Sequence, residues 1–300
     1  MSRAIAIEAR GLTKDYGGVP ALRGVDLEVF QGEIFGFLGP NGAGKTTAIR
    51  CLLDLIRPSG GTVRVLGLDP QVEPVAVRTR TGYLPGELRL EDNLNAGGAL
   101  RFLNSLRGGR AEWAFVRRLA ERLQLDLSVP IKNLSKGNKQ KIGVVQALMH
   151  RPELLLLDEP TSGLDPLMQQ EVLRLIAEAR AAGATVFFSS HILSEVREVA
   201  ERVAIVRRGV VVEVAGTDAL INRALRRVRV RFRQQVDDSG LTALPGVQVL
   251  ARDGAGLLLQ VAGEMDGVIK ALAALPVSDF ETERPSLEEI FLAYYEDGNS

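Results

Sequence analysis

Cysteine is all but missing. Cys51 stands alone among 300 residues, so no intrachain disulfide can form and a reducing compartment is the expected home. Net charge is missing too: Lys+Arg and Asp+Glu number 37 each, which leaves no global field to draw the chain to nucleic acid or to an anionic membrane. Aromatics make up only 5% of the chain. Long apolar runs are absent; stretches such as Leu154–Leu157 fall far short of the ~20 residues a membrane span needs. The first residues, Met-Ser-Arg-Ala, lack a signal-peptide core. A cytoplasmic protein is expected.

What is present is an ordinary globular composition, 46% hydrophobic and 25% charged, long enough for one large domain and one small one. Residues 3–10 and 22–30 alternate polar and apolar and predict two antiparallel strands. From Ile34 the style changes: short apolar strands (34–38, 62–68, 154–157, 185–188, 203–206) are separated by helical segments. Residues 88–150 are mostly helical, with apolar spacing over 99–106, 112–123 and 137–149. That rhythm predicts a largely parallel α/β sheet. Near Thr217 the style changes again, to strand, short helix, two strands, helix (265–275), strand (277–283) and a last helix over 287–295. This is the split βαβ order with one helix added, a small α+β domain over 218–300.

Gly39-Pro40-Asn41-Gly42-Ala43-Gly44-Lys45-Thr46 fits the pattern G-x-x-x-x-G-K-[ST] between a strand and a helix. Glycines let successive backbone N–H groups turn toward an anion, and the helix N-terminus adds its positive end. Lys45 can reach β- and γ-phosphates, and Thr46 can offer a hydroxyl to Mg²⁺. Thr47 follows in the same first helical turn. The second charged feature is Glu153-Leu-Leu-Leu-Leu-Asp158-Glu159-Pro160, a buried strand ending in two carboxylates at the sheet edge where the loop lies. Asp158 is placed to hold Mg²⁺, and Glu159 to take a proton from an attacking water.

With both elements in hand, the chain resembles the nucleotide-binding subunits of ATP-binding cassette (ABC) transporters. Leu134-Ser135-Lys136-Gly137-Asn138-Lys139-Gln140 is similar to that family's LSGGQ signature, Ser162-Gly163-Leu164-Asp165 to its D-loop, and Ser189-Ser190-His191 to its switch histidine. Order and spacing fit through about residue 217. The resemblance implies a P-loop NTPase cassette over 1–217, with an N-terminal antiparallel subdomain, a RecA-like parallel core and a helical subdomain near 88–150. It implies ATP and Mg²⁺ as ligands, with Lys45, Glu159 and His191 in catalysis and Tyr16 stacked on adenine. It also implies a head-to-tail dimer in which Ser135 and Gly137 cover the γ-phosphate held by the partner copy, docked on integral membrane permease subunits at the cytoplasmic face. On local grounds alone Ser135 is a helix N-cap, His191 a structural histidine and Tyr16 a packed loop aromatic. His150 ends a helix before Pro152, and Cys51 is a small apolar residue of the phosphate-loop helix.

Two positions depart from the family pattern. Gly86 stands where the family has a Gln that helps ligate Mg²⁺ and links the site to the membrane partner, so that contact must fall to Glu87, water or the backbone. Lys136 replaces the first signature glycine. This variant, with a C-terminal domain ending in Leu287-Glu-Glu-Ile-Phe291, resembles the drug-exporter (ABC-2) type, which moves drugs, antibiotics or lipids. Arginines 223, 226, 227, 229, 231 and 233 form a basic segment. A solvated strand face explains it; anionic lipid or an acidic patch of a partner is the alternative, and nucleic acid is disfavoured.

The reading is an ATPase subunit of a transporter, a homodimer in the simplest case, acting with separate membrane subunits. Rival readings are a soluble ABC ATPase acting on ribosomes or DNA and a regulatory module that binds ATP without hydrolysis. One cassette without a coiled-coil insertion disfavours the first rival, and Glu159 the second.

Overall fold

The computed structural model describes residues 3–217, 219, 226–262 and 264–283. The chain divides into two compact units, 1–216 and 217–300.

Three layers make up the first unit. β1 (Ile5–Tyr16), β2 (Val19–Phe30) and β4 (Gly60–Val65) form an antiparallel sheet in the order β2-β1-β4. The first two strands run well past the expected breaks at residues 10 and 22. A register shift between Ala9 and Leu12 carries β1 through Gly11, and the pairing continues to Tyr16 opposite Val19. β4 ends at Val65, three residues before its expected end, because Leu66 and Gly67 both turn through positive φ.

The second sheet has six strands in the order β5-β6-β7-β3-β8-β9: β3 (Ile34–Leu38), β5 (Thr81–Leu84), β6 (Leu154–Asp158), β7 (Thr185–Ser190), β8 (Arg202–Arg207) and β9 (Val210–Gly216). The first five are parallel and β9 is antiparallel. Every residue of β3, β6 and β7 is buried, as expected of strands covered on both faces. Phe187 stacks on Phe35, with ring centroids 5.9 Å apart, and tilts against Phe37 at 5.3 Å.

The helices of this unit are α1 (Lys45–Leu52), α2 (Pro74–Arg80), α3 (Ala96–Leu106), α4 (Trp113–Arg122), α5 (Lys136–Leu148), α6 (Pro166–Ala181) and α7 (Leu193–Val199). α3 starts three residues before the apolar periodicity does, because the Asn95 side chain accepts from the Gly98 N–H and caps it there. Asp165 caps α6 in the same way, with Pro166 in the first turn.

In the second unit, β10 (Arg226–Phe232), α8 (Ser239–Thr242), β11 (Val247–Asp253), β12 (Gly256–Val261), α9 (Asp266–Ala273) and β13 (Val277–Glu283) follow in turn. The strands form one antiparallel sheet, β11-β12-β10-β13, which is the ferredoxin-like arrangement. Val228, Val230, Phe232, Leu257, Leu259 and Val261 meet Leu241, Val268 and Leu272 in a separate core. The helix expected over 287–295 lies outside the described residues, as does Arg223.

Candidate nucleotide site at the edge of the parallel sheet

Parallel strands deliver their C-terminal ends to one edge, and the register here aligns four of them. Leu38 pairs with Ser190, Asp158 with Ser189, and Leu84 with Leu157. The phosphate loop follows β3, and α1 begins at Gly44, whose φ of 107° belongs to the left-handed region that favours glycine. A side chain at Gly44 would also strike the Ala21 carbonyl, at 2.7 Å. Asn41 and Gly42 lie exposed at the loop tip, while Gly39 and Ala43 are buried and Pro40, Thr46 and Thr47 half-buried.

Lys45 is 5% exposed, and its Nζ donates to the carbonyls of Gly39 (2.6 Å) and Pro40 (3.1 Å). The same Nζ stands 3.3 Å from Glu159 Oε1, and His191 Nδ1 stands 3.2 Å from that same oxygen. So one carboxylate oxygen is shared by the lysine of the loop and the histidine that follows β7.

Asp158 is buried at the end of β6. Its Oδ1 accepts from Ser189 Oγ at 2.6 Å, while its Oδ2 is buried without any hydrogen-bond donor. A carboxylate oxygen left so is suited to a hard cation. Gly86 borders this oxygen: a Cβ there would sit 2.9 Å from Oδ2 and 3.2 Å from Cγ. The family's Gln therefore has no room here without displacing Asp158. Glu87, the expected substitute, is exposed and lies 3.7 Å from Arg89.

Ser135 caps α5, its Oγ accepting from the Asn138 N–H at 3.2 Å. Gly137 presses on the D-loop of its own chain, where a Cβ would stand 2.6 Å from the Gly163 carbonyl. Tyr16 is 48% exposed at the end of β1, with the Lys14 ammonium 5.1 Å from its ring centroid. His150 lies apart from this edge, beside Arg107 and half-buried; burial first, and that guanidinium second, push its pKa down to about 4. Cys51 is buried, and burial raises its thiol pKa to about 11, so it is inert.

Sequence reasoning leaves two buried residues of this edge without a role of their own. Gln140 donates from Nε2 to the carbonyls of Glu159 (3.0 Å) and Pro160 (3.2 Å), tying α5 to the carboxylate segment. A polar residue on the buried stripe of α5 was the available signal. Glu195, on α7, accepts from both Thr161 Oγ1 and Ser190 Oγ. Nothing in its short helix marks it.

Comparison with known proteins identifies the family. Residues 22–162 match the family model described as ABC transporter, and residues 216–295 the one described as "ATP-binding protein DrrA1-3-like, C-terminal domain". The daunorubicin/doxorubicin resistance ATP-binding protein DrrA of Streptomyces peucetius is 33% identical over 305 residues, covering 96% of this chain and 92% of that protein. A solved ATP-binding subunit of an ABC transporter superposes with a TM-score of 0.65 at 30% identity, over 72% of this chain and 91% of that one. The cassette MJ0796, solved as a dimer in a post-hydrolysis state with ADP and Pi, superposes with a TM-score of 0.62 at 22% identity. It covers 70% of this chain and 98% of that one, and shows the shared fold. The chain belongs to the ATP-binding proteins of ABC transporters and is, with that family, an ATP hydrolase.

Proposed function

We propose that two copies of this chain close head to tail on two ATP molecules and open after hydrolysis, driving export of a drug, antibiotic or lipid through separate membrane subunits. The observation that carries the catalytic part is the sharing of Glu159 Oε1 between Lys45 and His191 beside the unpaired Oδ2 of Asp158. Glu159 is the base for the attacking water, Lys45 engages the β- and γ-phosphates, and His191 holds Glu159 and meets the γ-phosphate. Thr46 and Asp158 hold Mg²⁺, which when bound offsets charge on the phosphate oxygens. Residues 39–44 and Thr47 surround the phosphates, and Tyr16 carries the adenine ring.

Ser135 and Gly137 complete the site of the partner copy. The capped N-terminus of α5 carries a partial positive charge suited to the γ-phosphate. The drug-resistance name of the relative matched over both units supports the export direction. Among the described residues no helix is long and apolar enough to cross a membrane. In this reading the subunit works from the cytoplasmic face through separate permease partners.

Sizing the Glu159→Gln protein with ATP and with ADP tests this. The variant keeps the shape and loses the base, so hydrolysis falls about 10²–10⁴-fold and a dimer accumulates with ATP alone. Lys45→Ala stays monomeric in both. A Glu159→Gln protein that hydrolyses at the wild-type rate would overturn the assignment.

A further inference from the structure

Glu195 is a carboxylate buried to 5% exposure, and the hydrolytic chemistry just described does not use it. Its two oxygens are taken by hydroxyls from different elements. Oε1 accepts from Thr161 Oγ1, two residues beyond Glu159, and Oε2 accepts from Ser190 Oγ at 2.6 Å, one residue before His191. Each hydroxyl lies at a turn that sets a catalytic side chain. Ser190 Oγ also accepts from the Ile192 N–H at 2.9 Å, closing the turn around His191. Thr161 opens the D-loop turn, where Leu164 N–H donates to its carbonyl at 3.1 Å.

Glu159 itself sits at a φ of 51°, a left-handed conformation that a non-glycine residue keeps only when its surroundings hold it. Gln140 holds it from the side of α5, through the Glu159 and Pro160 carbonyls. Glu195 holds the same segment two residues further on, through Thr161.

We propose that Glu195 is a positioning residue that braces the Glu159 segment against the His191 turn, setting the separation of the base from the histidine that shares its oxygen. It acts by fixing Thr161 to Ser190, and so carries a displacement of the His191 turn to the D-loop. A carboxylate suits the task, because it offers one acceptor oxygen to each hydroxyl. The proposal rests on the reading of Glu159 as base and His191 as its partner.

The test compares Glu195→Ala, Glu195→Gln and Thr161→Val in the full-length chain, with Glu159→Gln as control. A misplaced catalytic group costs on the order of 10²-fold, and Glu195→Ala is expected to lose that much in kcat with ATP affinity and KM unchanged. Glu195→Gln can still bond both hydroxyls, one through its carbonyl and one through its amide, and is expected to recover most of the rate. Thr161→Val, nearly isosteric and losing one hydroxyl, is expected to fall between and stands in should Glu195→Ala not fold. A merely structural carboxylate would instead lower ATP binding and kcat together, or leave Gln no better than Ala; either result overturns the brace, as does a wild-type rate in Thr161→Val. Should Glu159→Gln remain active, the base assignment fails instead, and the two failures are told apart.

Discussion

The two units of this chain place their polar residues in opposite ways. In the first, seven buried polar side chains gather where buried strands end: Lys45, Asp158, Ser189 and Ser190, with Gln140, Thr161 and Glu195 in the segments that follow or face them; Glu33, Thr81 and Thr185 sit where strands begin, and Lys141 on α5. In the second, among the described residues, Thr217 at the boundary is the one buried polar side chain and the rest of the core is apolar. Among the described residues none of its charged side chains is buried. Arg229 and Arg231 of β10 are exposed and stand opposite Glu281 and Asp279 of β13, so the arginine row is answered by acids within its own sheet. A parallel sheet covered on both faces has only its edges for chemistry, and a burial that costs stability is kept there because it orients charge.

The largest break in this comparison comes from crowding the cassette edge. Gly86→Ala places a methyl 2.9 Å from Asp158 Oδ2, so the carboxylate must shift. Hydrolysis is expected to fall by about 10- to 100-fold, with the Mg²⁺ dependence displaced to higher concentration, because small misplacements at a reacting centre cost that much. Titrating the ATPase rate against Mg²⁺ checks this. The absence of a Gln side chain at this position argues, on sequence alone, that hydrolysis tolerates Gly86→Ala; the close approach to Asp158 argues the opposite.

That reversal marks what was legible in the sequence. The phosphate loop, the acidic end of β6, the Ser135 cap and the order of the second unit were readable because each is a local pattern whose physics needs no distant partner. The Gly86–Asp158 contact joins the ends of neighbouring strands 72 residues apart in number, Gln140 reaches 19 residues to Glu159 and Glu195 reaches 34 to Thr161. Such pairings exist only once the sheet order is known. α2 and β9 were missed for a plainer reason: α2 is only seven residues long, and β9 is half-exposed.

A smaller effect is expected from removing the second unit. A chain ending at Gly216 keeps every residue of the proposed site, so ATP binding measured by calorimetry should persist, with loss confined to dimer stability or partner assembly. A folded truncation unable to bind ATP would erase the contrast between the units. Smallest of all is Arg229→Ala: an exposed cross-strand neighbour of Glu281 contributes about 0.2–1 kcal/mol, read as a slight drop in Tm with ATPase rate unchanged.

The central claim is that each site is assembled from two chains, Lys45, Asp158 and Glu159 from one and Ser135 and Gly137 from the other. Mixing Ser135→Arg chains with Glu159→Gln chains tests it most directly. In a mixed dimer one composite site carries both lesions and the other neither, so ATPase activity should rise well above that of either protein alone. A mixture no more active than its parts, from chains shown to form mixed dimers, would mean that each subunit's site is self-contained.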